Sequence, residues 1–151
     1  MASKTSVALA HQAIACLRRL TDAFRRRREA LALSVDLSDG QWALLEEIAT
    51  EHFMPSMFAR TRASSAAAVS KSLRQLLDKG LVSVGLSKAD GRQRAYVLSA
   101  KGRGVLATLR QEREQAIASI WLSLDPAQVK TFVTFGSELA QRLEQYRNKD
   151  K

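Results

Sequence analysis

Residues 65–86 read SAAAVSKSLRQLLDKGLVSVGL, and their hydrophobic period changes once, at Gly80. Before that glycine, Val69, Leu73, Leu76 and Leu77 recur at three- and four-residue steps. At about 100° per residue this spacing gathers them on one face of a helix. Ala67, Ser70, Lys71 and Arg74 fall on the opposite face. Ser65 is the expected N-cap, because its hydroxyl can accept a bond from an otherwise unpaired backbone N–H. Gly80 is the residue type expected just past a helix C-terminus. Beyond it, Val82, Val84 and Leu86 alternate with Ser83, Gly85 and Ser87, the two-residue period of a strand. The polar Lys88-Ala89-Asp90-Gly91 follows as a turn, and RAYVL (94–98) reads as a returning strand. The pair is a β-hairpin.

Upstream, a proline is tolerated in a first helical turn, so a short helix begins near Pro55 and runs through Ala59. Arg60–Ala63 makes the turn into the helix that starts after Ser65. A helix-turn-helix followed directly by a hairpin is a winged helix, whose second helix can enter a major groove while the hairpin reaches alongside. The flanks are helical too. Val7, Ala10, Ile14, Leu17, Thr21 and Phe24 predict a long helix over 6–32, with Arg25–Arg28 as a solvated C-terminal turn favoured by the helix dipole. Ser38-Asp39-Gly40-Gln41 has the spacing of a capping box and opens a helix carrying Trp42, Leu45, Ile48 and Ala49. Ser99 caps a helix expected over 100–122. Asp125-Pro126 starts a last helix, with Val129, Phe132, Val133, Leu139 and Leu143 on one side.

The length of 151 residues suits one domain with a real core. No apolar run reaches the roughly 20 residues needed to span a membrane, and the first residues lack a signal peptide's apolar core. The single cysteine, Cys16, excludes an intrachain disulfide and fits a reducing cytoplasm. The net charge is +9, and its placement is the informative part. Residues 1–59 hold seven Lys/Arg and seven Asp/Glu, and residues 111–151 hold six of each. Residues 60–110 carry eleven Lys/Arg against only Asp78 and Asp90. A positive centre between neutral flanks is the footprint of a polyanion-binding surface. Small residues at the tip of the 65–79 helix allow close approach to a groove floor, where alanine methyls can meet thymine methyls. Arg92 and Arg94, with Lys88 nearby, would project from the hairpin toward a narrow minor groove, where the negative potential is enhanced. Enzyme chemistry has no foothold. His11 and His52 lack partners at metal-ligand spacing, and Gly102-Arg103-Gly104 is not a phosphate loop following a strand. No cofactor or metal is expected.

The stretches AVSKSLRQLLDKGLV (68–82) and DGRQRAYVLSAKG (90–102) resemble the MarR family of bacterial winged-helix transcriptional regulators. Val69-Ser70-Lys71 matches the family's recognition-helix core, and Asp78-Lys79-Gly80-Leu81-Val82 matches its boundary. Asp90-Gly91-Arg92 matches the wing, and Leu98-Ser99-Ala100-Lys101-Gly102 the helix entry after it. The first helix of the helix-turn-helix departs from the family pattern, as does the triple alanine at 66–68.

The resemblance implies a mainly α fold with a small β-hairpin wing. Residues 36–99 would form the winged helix-turn-helix, and 1–35 and 100–151 the N- and C-terminal dimerisation helices of one domain. It implies a homodimeric repressor on a pseudo-palindromic operator of double-stranded DNA. Phosphate contacts would come from Arg60, Arg62, Ser64 and Ser65, and Asp90 would support the wing. It also implies release by a small aromatic or anionic effector, with His11, Cys16, Arg19 and Trp42 as candidate lining. Some relatives sense oxidants through a cysteine on the first helix, but Cys16 among Ile14, Leu17 and Leu20 reads more simply as a buried small hydrophobe. An alternative keeps the fold and makes the basic face a docking surface for an acidic protein.

Overall fold

The computed structural model describes residues 5–50, 52–86 and 94–149. In chain order these form α1 (Val7–Ser34), α2 (Asp39–Ile48), α3 (Pro55–Thr61), α4 (Ala66–Asp78), β1 (Val82–Leu86), β2 (Arg94–Leu98), α5 (Ala100–Ala116), a π-helical segment (Ile117–Trp121) and α6 (Pro126–Lys149). The chain divides into two compact units, Met1–Arg110 and Gln111–Lys151.

In the first unit, the helix starts follow the side chains that cap them. Gln41 N–H donates to Ser38 Oγ at 3.1 Å, and Ser38 N–H donates to Gln41 Oε1 at 3.1 Å, closing the capping box at the start of α2. The core forms where α2, α4 and the base of the hairpin meet, around Leu37, Leu44, Leu45, Leu76, Leu81 and Leu109. The hairpin is antiparallel, with Val82 opposite Leu98 and Val84 opposite Tyr96. Tyr96 meets the ring of Phe53 edge-on at 6.0 Å, and Phe53 meets Phe58 of α3 the same way.

The junction between α4, β1 and α5 is stitched by short polar contacts. Gly80 sits at φ 69°, a conformation that reverses the chain at little steric cost only for glycine. Ser99 Oγ donates to the Gly80 carbonyl at 2.6 Å and accepts from Gly102 N–H at 2.9 Å, so one hydroxyl ties the end of α4 to the start of α5. A Cβ on Gly102 would lie 2.1 Å from the Leu81 carbonyl oxygen, which is why α5 can lie so close to β1.

Two expectations are corrected here. The helix α1 continues to Ser34, so Arg25–Arg28 lies inside it rather than in its last turn, which carries no basic residue. Side-chain partners, not the helix dipole, hold these arginines. Arg25 pairs with Glu29 at 2.9 Å and Asp22 at 3.5 Å; the Glu29 hydrogen bond, ahead of its charge, raises the guanidinium pKa further. Cys16 is exposed on α1 rather than buried. Its neighbours Ile14, Leu17 and Leu20 are exposed as well, because no element of the first unit covers this stretch of helix.

In the second unit, the helix expected to reach residue 122 changes its winding. From Ile117 the bonds become π-type, and Leu122 N–H reaches back to the Ile117 carbonyl at 3.2 Å. Asp125 Oδ1 accepts from Ala127 N–H at 3.0 Å at the start of α6, as the sequence leads one to expect. The helix α6 leaves Phe132, Val133, Phe135, Leu143 and Tyr146 exposed.

Candidate nucleic-acid interface

The turn between α3 and α4 is built from backbone bonds. Arg62 N–H donates to the Phe58 carbonyl at 3.0 Å and Ser64 N–H to the Ala59 carbonyl at 2.9 Å, with Ala63 at φ 49° between them. Ser65 then caps α4, its hydroxyl accepting from Ala68 N–H at 3.1 Å. Val69, Leu73 and Leu76 are buried. Ala67, Ser70, Lys71 and Arg74 are all exposed, so the face expected from periodicity is the face presented to solvent. No acidic residue stands in the first turn of α4.

Arg60, Arg62, Ser64 and Ser65 surround the turn and are exposed. The Arg62 guanidinium lies 5.7 Å from the Phe58 ring centroid. Among the described residues, Arg60, Arg62, Lys71 and Arg74 form no ion pair with a carboxylate. Their charge is therefore not neutralised by the protein.

The two halves of α4 are backed differently. Its C-terminal half is tied to the corner between α1 and α2: Gln75 Oε1 accepts from Gln41 Nε2 at 2.9 Å, and Lys79 Nζ lies 3.2 Å from Asp36 Oδ2. Behind its N-terminal half is a cavity of about 230 Å³ lined by Asp39, Phe58, Arg62, Ser64, Val69 and Ser72, among others. The polar ties have no local sequence signal, since Gln41 and Gln75 are 34 residues apart.

The hairpin supplies β1 and β2, with Leu86 opposite Arg94 at the wing end of the ladder. Arg94 is thus the first residue of β2. Lys88, Asp90 and Arg92 lie outside the described residues.

The four candidate effector residues are not assembled in the single chain. His11, Cys16 and Arg19 are exposed on α1, whereas Trp42 is buried in the core. Trp42 meets α1 at Arg28, whose guanidinium lies 4.0 Å from its ring centroid. Arg19 is about 13 Å farther back along the helix, and Cys16 and His11 farther still. Among the described residues, no cluster of three or more His, Cys, Asp or Glu could hold a metal ion. Among them also, no helix is long and apolar enough to cross a membrane.

No protein-family model matches the chain, and no curated protein matches it. Solved structures do. A MarR family transcription regulator superposes with a TM-score of 0.79 at 16% identity, covering 92% of this chain and 93% of its own. MarR of Staphylococcus aureus, in complex with salicylate and kanamycin, matches at 0.73 and 17% identity, covering 92% and 95%. A substituted S. aureus MepR bound to an oligodeoxyribonucleotide matches at 0.62 and 14% identity, covering 85% and 95%. The chain has the winged-helix fold of these regulators.

Proposed function

We propose that the chain is a MarR-type transcriptional regulator, a binding protein rather than an enzyme, acting as a cytoplasmic homodimer on double-stranded DNA. The observation that carries this reading is the exposed face of α4. Ser70, Lys71 and Arg74 stand together without a carboxylate partner among the described residues, behind a tip of small side chains. The fold supports it, as does the DNA-bound relative with the same architecture.

In this reading α4 lies in the major groove. Arg60, Arg62, Ser64 and Ser65 hold phosphates, and Lys88, Arg92 and Arg94 bring the wing to the adjacent minor groove. Asp90 steadies the wing. The exposed apolar residues of α1 and α6 meet their counterparts in a second copy, which places two reading helices on a pseudo-palindromic operator. The regulator represses, and a small aromatic or anionic effector releases it. The salicylate bound by S. aureus MarR supports that ligand class, with His11, Cys16, Arg19 and Trp42 as the residues to test once the dimer is formed.

Fluorescence anisotropy with a duplex selected from a random pool, against a scrambled duplex, tests the proposal. Specific complexes are expected to exceed non-specific ones by at least about 10³ in affinity. Lys71→Ala and Arg92→Ala should each weaken the selected complex by about 1–3 kcal/mol while the protein stays folded. If the selected and scrambled duplexes bind alike, the basic face serves another partner and the regulator assignment fails.

A further inference from the structure

The helix α1 meets the rest of its unit only near its C-terminal end. From Val7 to Arg27 every residue is exposed apart from the partly covered Ala10, and Arg28 is the first residue of the following stretch to be partly buried. Three residues later α1 enters the core through Leu31 and the fully buried Ala32. Arg28 therefore stands at the root of a free shaft about 30 Å long.

What Arg28 touches is one stripe of α2. Its guanidinium hydrogen-bonds Asp39 through Nε, approaches Glu46 Oε2 through Nη2 at 3.6 Å, and lies 4.0 Å from the Trp42 ring centroid. Asp39, Trp42 and Glu46 are spaced i, i+3, i+7, so they line up along a single helix face over two turns. One planar fork engages all three. Sliding α1 by one residue, about 1.5 Å, or turning it by one position, about 100°, would break part of the set. Burial of Ala32 holds the two helices together without specifying their angle. The three-point contact specifies it.

We propose that Arg28 is a positioning residue that sets the angle between α1 and the DNA-reading part of the chain, and through it the half-site spacing the dimer accepts. The inference rests on the regulator reading above. A tilt of 10° at the root of α1 moves its far end by about 5 Å. Base pairs rise about 3.4 Å, so that movement exceeds one step of DNA. The two reading helices would then lose their common register while each kept its own contacts.

The test uses the full chain with Trp121→Phe, so that Trp42 is the only tryptophan. Arg28→Ala and Arg28→Lys are compared with this parent in Trp42 emission, dimer content, and affinity for the selected duplex with one or two base pairs added or removed between half-sites. The parent should lose at least about tenfold in affinity on a change of spacing. Arg28→Ala should red-shift Trp42 emission and flatten the spacing preference to within about threefold while remaining a folded dimer. Arg28→Lys keeps the charge but not the planar fork, so it should restore little of the preference. Should Arg28→Ala not fold, Glu46→Gln, which removes one anchor, should flatten the preference in part. An unchanged spacing profile in folded Arg28 variants overturns the positioning role while leaving DNA binding intact. A parent that binds no duplex selectively overturns the regulator reading first, and this role with it.

Discussion

Two glycines show how differently one residue type can be required. Gly80 has open space around the position a Cβ would take, so only its φ of 69° matters. Gly80→Ala should cost about 1–2 kcal/mol, the penalty for an L-residue in the left-handed region. Gly102 has no positive φ but faces the Leu81 carbonyl at a distance no real Cβ tolerates. Gly102→Ala should cost about 3 kcal/mol, the upper range for overpacking, because the obstacle is backbone and cannot swing aside. Urea unfolding checks both, and Gly102→Ala should be the more damaging. The same glycine marks the helix entry that resembles the MarR pattern, so its presence there has a packing reason independent of DNA.

The helix α4 works because its caps and faces agree. Ser65 closes its front end and Gly80 its back end. Between them the buried Val69, Leu73 and Leu76 fix which side faces outward. Ser65→Ala should lower stability by about 1 kcal/mol, read from thermal unfolding, and should weaken DNA binding through fraying of the tip. The Arg28 contact is of a different kind. Exposed ion pairs contribute about 0.2–1 kcal/mol and a cation–π contact a similar amount, so Arg28→Ala should destabilise the fold by only about 1–2 kcal/mol. Its importance is geometric. The ions are partly solvated and the energy is modest, yet the contact decides how a long helix leaves the core.

For the assembled protein, exposed apolar side chains are the dominant feature. Ile14, Leu17, Leu20 and Phe24 on α1, and Phe132, Phe135, Leu143 and Tyr146 on α6, are uncovered in the single chain. Faces of that kind on a stable protein are normally buried against a partner. Leu17→Glu and Phe135→Glu should each shift the protein toward monomer in sedimentation, with an accompanying loss of operator affinity. The concentrated charge of residues 60–110 leads to a further expectation. The logarithm of the operator binding constant should fall linearly with the logarithm of salt concentration, and Lys71→Ala should reduce the slope by about one.

Much of this architecture is legible in neighbouring residues. Caps, helix faces, the switch of period at Gly80 and the antiparallel hairpin all depend on side chains within a few positions of one another. The exposed face of α4, with Ser70, Lys71 and Arg74, belongs to the same local code, and the charge count located it independently. Packing between distant segments decided the rest. The Arg28 partners lie 11 and 18 positions away, the Leu81 carbonyl lies 21 positions from Gly102, and Gln41 meets Gln75 across 34. Each contact exists only because of how two helices cross, or how a helix meets a strand. The four arginines at 25–28 look alike in the sequence. They were separated by the fold alone, because the crossing of α1 over α2 brings carboxylates and an indole to Arg28, whereas Arg25 pairs with acids on its own helix.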